Sequence, residues 1–263
     1  MTITRQSPKM PALFIGHGSP MNAIEDNEFS RTWQTMGKTL PKPKVILCIS
    51  AHWETEGVYV TTAARPETIH DFYGFPQELF NVQYKAVGSP DLATRVMEMV
   101  SSVKVKPDSK RGLDHGAWSV LLPMFPGADI PVIQLSIDTS QPGSFHYDLG
   151  KQLAPLREEG VLIIGSGNIV HNLRTFRFDQ TKPTDWALRF NDRVKERILK
   201  GEHGPLTDFQ PLSPDAALSV PTPEHYLPLL YILGMQSAGE RVSFFNDAVI
   251  SSISMTGVMF TGA

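Results

Sequence analysis

The sequence predicts a three-layer α/β/α fold in which helices cover both faces of a central sheet that is mixed but mostly parallel. Three observations predict it. Strand-sized apolar runs alternate with helical patterns along the 263 residues, the order that favours a covered parallel sheet. Two of the runs, VILCIS (45 to 50) and VLIIGSG (161 to 167), are apolar almost without alternation, as strands buried on both sides must be. The proline clusters PKPK (41 to 44) and PTP (221 to 223) are both too short to serve as interdomain linkers, so residues 1–263 read as one domain.

In chain order, ALFIG (12 to 16) reads as the first core strand, followed by VILCIS and by VYVTT (58 to 62). Residues 64 to 89 carry few periodic signals and form a long loop, a length often associated with function and suited to a lid. A helix over 91 to 102 precedes the strand PVIQLSI (131 to 137). A second helix over 146 to 159 leads into VLIIGSG. Helices follow over 185 to 200 and 225 to 235, and the chain closes with RVSFF (241 to 245) and ISMTGVMF (253 to 260) as strands.

Composition excludes several classes of function. A net charge of −3 and no basic run argue against a nucleic-acid binder, which needs a positive face to neutralise phosphates. No apolar run approaches the roughly 18 to 20 residues that span a bilayer, and the N-terminus lacks the pattern of a secretory signal. Cys48 is the single cysteine, so neither an intrachain disulfide nor CxxC chemistry is available, and a cytoplasmic location fits. Inside VILCIS that thiol reads as a buried packing residue rather than a nucleophile.

Ligand sites in open α/β sheets lie beyond the carboxyl ends of the strands, and the histidines fall there. His17 follows ALFIG, His52 follows VILCIS after one alanine, and His171 lies four residues beyond VLIIGSG. His225 stands at the start of an apolar helix after the PTP turn, and His115 lies in the turn-like LDHGAW. Any one of these reads as an ordinary histidine. Together they suit one divalent metal ion, because imidazole is a common zinc and iron ligand and a catalytic centre needs about three protein ligands with positions left open. His17, His52 and His225 would supply three. This requires the ring nitrogens of His17 and His52 to lie within about 6 Å of each other.

Other chemistries leave little trace. There is no P-loop, no GxGxxG opening a helix and no GxSxG elbow. The GSG at 165 to 167 is expected to let the backbone turn before His171. Ser19 is expected to cap the next helix rather than to act as a nucleophile.

Six segments carry a family resemblance: FIGHGSPMNA (14 to 23), ISAHWET (49 to 55), IHDFYGFP (69 to 76), GLDHGAWSVL (112 to 121), GSGNIVHNL (165 to 173) and PTPEHYLPLLYILG (221 to 234). In these the chain resembles the class III, LigB-type extradiol ring-cleavage dioxygenases, in their 4,5-DOPA dioxygenase branch, nearly end to end. The resemblance implies a LigB-like domain whose metal ligands are His17, His52 and His225. His171 becomes either a fourth ligand or an acid/base group, and His115 a catalytic histidine near the substrate oxygen. More distant relatives carry a glutamate at the third ligand position, where this chain has Glu224 beside His225. Adjacent helical residues point about 100° apart, which favours one of them, His225.

The implied reaction inserts O2 into a catechol such as L-DOPA, opening the ring at 4,5 to a muconic semialdehyde. Fe(II) is the ion expected for it, although an all-histidine set suits Zn(II) equally. His70, Asp71, Phe72 and Tyr73 would either contact the ring and its polar tail or form a packed aromatic corner. Two alternatives stay open at this stage: a zinc hydrolase using the same pocket, and a partner-binding relative without activity. Partners are expected to be a small catechol and O2, with the protein a monomer or small homo-oligomer.

Overall fold

The computed structural model describes residues 9–177 and 179–262. Its strands are β1 (Ala12–Gly16), β2 (Val45–Glu54), β3 (Val58–Thr61), β4 (Val105–Asp108), β5 (Val132–Ile137), β6 (Val161–Gly167), β7 (Arg241–Phe245), β8 (Val249–Ile250), β9 (Ile253–Ser254) and β10 (Gly257–Thr261). Among the described residues, eight of them form one sheet in the order β4-β3-β5-β2-β6-β1-β10-β7, and β8 pairs with β9. The inner four, β5-β2-β6-β1, are parallel. Antiparallel pairings of β3 with β5, β10 with β1 and β7 with β10 make the whole sheet mixed.

The helices are α1 (Glu28–Thr39), α2 (Gln77–Phe80), α3 (Pro90–Met99), α4 (His115–Met124), α5 (Gly143–Leu153), α6 (Asp185–Leu199), α7 (Gly204–Thr207), α8 (Ala216–Ser219) and α9 (Leu227–Gly234). Alternate residues of the central strands divide between two cores, as the two-residue period of a strand requires. Leu13, Ile15, Ile46, Cys48 and Ile164 pack with Trp33 of α1 and Trp118 of α4 on one face. Phe14, Leu47, Ile49 and Ile163 pack with side chains of α3, α5, α6 and α9 on the other. At roughly 1.5–3 kcal/mol for each fully buried large side chain, these two layers make the sheet a rigid platform. None of the helices among the described residues is long and apolar enough to cross a membrane.

The predicted three-layer fold is observed, and the departures from the sequence reading are local. β2 runs four residues past Ser50, through His52, because its pairing with β5 jumps from Ile49–Leu135 to Glu54–Ile137. Such an irregularity re-aims side chains and leaves no clean alternation to read. Helix α1 was not expected, although Asn27 and Ser30 form a capping box and Phe29, Trp33 and Met36 make an apolar stripe. Helix α4 was read as a turn. It is buried along nearly its whole length, so its apolar residues show no helical period. ISMTGVMF is two strands, interrupted at Met255 and Thr256. The short strands β4 and β8 carry too few residues for a pattern.

Two further expectations change. The GSG of 165 to 167 makes no turn: it is the fully buried end of β6. Helix α9 begins at Leu227, so His225 belongs to the turn before it, in which both Tyr226 and Leu227 donate N–H bonds to the Pro223 carbonyl. The stretch from 64 to 89 is docked rather than loose. Ile69 donates to the Leu113 carbonyl at 2.7 Å and Leu113 donates back to Glu67 at 2.7 Å.

Candidate metal centre

Five histidines from remote segments meet at the carboxyl edge of the parallel strands. His17 is the first residue after β1, and its N–H donates to the carbonyl of Gly167 at the end of neighbouring β6. His52 lies on the irregular part of β2. His115 opens α4, with Asp114 as the N-cap. His171 is held by a bridge to Ile253 and by its N–H to the Ser219 carbonyl. His225 is pinned through its own carbonyl, which accepts from Asn168 N–H at 2.8 Å.

Two glycines make this approach possible. A Cβ on Gly167 would lie 2.1 Å from the His225 oxygen, and one on Gly116 would lie 2.4 Å from Ser50 Oγ and 2.9 Å from His52 Cδ2. The glycines flanking Ser166 therefore seat the 225–228 segment against β6, as Gly165 would likewise meet the Pro228 carbonyl at 2.6 Å.

The Nε2 atoms of His17 and His52 are 3.1 Å apart. Two nitrogens bonded to one ion at about 2.0–2.1 Å, at tetrahedral to octahedral angles, lie about 2.9–3.4 Å apart, so this spacing fits a shared ion. The His225 ring centroid is 5.3 Å from that of His17 and 4.9 Å from that of His52. Its Nε2 is buried without a hydrogen-bond partner, the state of a donor atom built for an ion. His115 sits 3.8 Å from His52, and His171 stacks on His225 at 3.4 Å with an 11° tilt. Ligand atoms of His17, His52 and His115 lie within 4.8 Å of one another, as do those of His171, Glu224 and His225.

The protonation states suit metal binding. Burial, reinforced by the neighbouring imidazoles, pushes His17 and His225 well below the usual histidine range. Burial also lowers His52 to about 4, with His115 contributing, and His171 to about 4, against an opposing pull from Glu224. All four are neutral near pH 7 and offer lone pairs. For His17 the tautomer follows from its neighbours. Ser166 Oγ donates to the Gly116 carbonyl at 2.6 Å, so the contact of 3.0 Å from His17 Nδ1 makes the imidazole the donor and leaves Nε2 bare. The Glu224 Oε1 atom lies 3.0 Å from His225 Nδ1 and accepts from Thr222 Oγ1, so Glu224 backs the histidine beside it.

Comparison with known proteins gives this cluster a family. The family model for the catalytic LigB subunit of aromatic ring-opening dioxygenase matches residues 11–259. The chain belongs to the LigB family. It is 47% identical over 262 residues to the 4,5-DOPA dioxygenase extradiol of Escherichia coli K12, covering 97% of this chain and 96% of that protein. The protein of the same name from Beta vulgaris is 42% identical over 87% of each chain. A crystal structure of an uncharacterized protein from Escherichia coli K12 superposes with a TM-score of 0.84 at 43% identity, covering 95% of this chain and 99% of that one. The LigB chain described here is accordingly a ring-cleaving dioxygenase.

Around the LigB-type cluster lies a support that the sequence reading missed. Asp114, fully buried, accepts from Ser50 Oγ and Gln134 Nε2, each at 2.7 Å, and pairs with Arg111 at 3.0 Å. Arg111 also donates to the His52 carbonyl at 3.0 Å. One carboxylate thus ties the irregular stretch of β2 to the start of α4, fixing His52 relative to His115. Its signal in the sequence was only its position beside His115.

Of the four loop residues, two follow the packed-corner reading. His70 and Phe72 form the packed corner with Phe80 and Trp118, and His70 Nε2 contacts the Val82 carbonyl at 2.9 Å. Tyr73 is 92% exposed. Asp71 instead faces the histidines. Burial opposes its charge, but contacts with the His115 ring and backbone N–H, and a smaller one with His52, hold its pKa at about 2. Ser19 caps the following turn, accepting from Met21 N–H, and Cys48 is buried, both as read from sequence.

Proposed function

We propose that this LigB enzyme cleaves the ring of a catechol such as DOPA by the extradiol route, consuming O2 and yielding a muconic semialdehyde. The observation that carries the proposal is the convergence of the His17 and His52 Nε2 atoms to 3.1 Å beside the unpartnered Nε2 of His225. The names of the relatives at 47% and 42% identity point to DOPA as the first substrate to test.

In this reading His17, His52 and His225 hold one divalent ion, Fe(II) for the oxygen chemistry, and His115 and His171 stay free to carry protons. Bound there, Fe(II) would bring both catechol oxygens and O2 to one point and acidify the hydroxyls. His171 is stacked on His225 at 3.4 Å and is only partly buried, which suits a proton carrier at the edge of the centre. With its pKa near 4, it accepts a catechol proton only transiently and returns it readily. His115 approaches from the α4 side, with Phe72 edge-on against it at 5.6 Å, so the ring of the substrate meets an apolar wall there. The single eight-stranded sheet with its two flanking cores supports reading the whole chain as one LigB-like domain.

The test is oxygen consumption by anaerobically purified protein after addition of ferrous iron, with DOPA and simpler catechols. The proposal expects O2 uptake together with a yellow product, dependent on both iron and catechol. Turnover of esters or amides without O2, on zinc alone, would replace it with a hydrolase.

A further inference from the structure

We infer that Asp71 is a positioning residue, whose carboxylate faces the Nδ1 atoms of both His115 and His52 and so keeps their Nε2 atoms bare toward the metal and substrate. The inference rests on the proposed roles of those two histidines and assigns Asp71 away from substrate binding.

The geometry is specific. Asp71 Oδ1 accepts from the backbone N–H of His115 at 2.9 Å and lies 2.9 Å from its Nδ1, while Oδ2 lies 3.8 Å from His52 Nδ1. The two rings are 3.8 Å apart, so a single carboxylate serves both. The Nδ1 of His115 is off the line of a full hydrogen bond, which makes the contact chiefly electrostatic. Its sign is decisive nonetheless. A neutral imidazole has one N–H and one lone pair, and a lone pair turned toward a carboxylate at that distance is repelled where an N–H is attracted. On His115 the proton therefore sits on Nδ1 and the lone pair on Nε2. For His52, whose Nε2 lies 3.1 Å from the bare Nε2 of His17, the carboxylate 3.8 Å from Nδ1 favours the Nδ1–H form that a shared ion requires.

The carboxylate has little freedom to do otherwise. Two residues before it, the Ile69 carbonyl accepts from Trp118 Nε1 at 2.8 Å. Immediately after it, Phe72 is packed among Phe75, Phe80 and Trp118. Asp71 thus plays for His52 and His115 the part that Ser166 plays for His17, and partners of this kind are worth about 10- to 100-fold in metal affinity or activity.

The near-isosteric D71N variant tests this, because it retains an oxygen for the His115 backbone N–H while removing the charge. In metal-free protein labelled with 15N-histidine, the wild type is expected to show His115 protonated at Nδ1, and D71A, which removes the one oxygen facing both its backbone N–H and its Nδ1, a shift toward the Nε2–H form. With iron and catechol, D71N should lower kcat about 10- to 100-fold with little change in KM, and its melting temperature should stay close to that of the wild type. An unchanged His115 tautomer in D71A overturns the inference. So does a raised KM with kcat intact, which would make Asp71 a substrate contact, and so does a D71A variant that loses melting temperature while keeping its kcat, which would make it only a cap for α4. The tautomer measurement needs no turnover, so a wild type inactive on catechols would sink the proposed function while leaving this inference to be decided.

Discussion

Replacing Gly167 by alanine should dislodge His225 without touching an imidazole. The added Cβ would lie 2.1 Å from the His225 oxygen, 3.1 Å from its carbonyl carbon and 3.3 Å from Pro228 Cγ. Ordinary non-bonded contacts begin near 3.5 Å, so the 225–228 segment must retreat by roughly 1 Å or more. That movement strains or breaks the 2.8 Å hydrogen bond from Asn168 N–H. Overpacking costs about 1–3 kcal/mol, and the lost hydrogen bond about 1 kcal/mol more. A misplacement of about 1 Å in a preorganised site costs on the order of 100-fold. Thermal denaturation of the metal-free protein and titration with Co(II), followed by visible absorbance, read the two effects separately. Gly204→Ala is the control, because nothing lies within 4 Å of its Cβ position. A G167A protein that binds metal with wild-type affinity would refute the idea that the turn is seated on β6.

Three other perturbations follow from the same geometry. Ser166→Ala removes the partner of His17 Nδ1 and should weaken metal binding about tenfold or more, with the fold preserved, as read by competition with a chelator. Asp114→Ala leaves Arg111 without its buried partner and should cost about 3 kcal/mol in denaturant melts. Burial first of all holds His52, His146 and His171 near 4, against 6.5 for an unperturbed ring. These rings stay neutral in the fold but take up protons near 6.5 once unfolded. Stability of the metal-free protein should be full above about pH 6.5 and fall as pH drops toward 4. A melting temperature flat across that window would contradict these burial effects.

Some of this protein was decided by local sequence. β1 and β6 were legible to the residue, because central strands buried on both faces admit only apolar side chains. The five histidines were legible as a group, since four lie within a few residues of a strand or helix end that the pattern defines and His115 in a turn-like stretch. Helix α4 was hidden by the opposite circumstance, its burial on nearly every side, which erases periodicity. What tertiary structure alone decided is which atoms meet. The two glycines of GSG act by closeness to a turn about sixty residues away, and Asp114 and Asp71 act by facing rings on other elements. A chain pattern records how buried each residue must be. Which nitrogen a carboxylate faces depends on strand register and loop docking, and these are set by contacts between segments far apart in the chain.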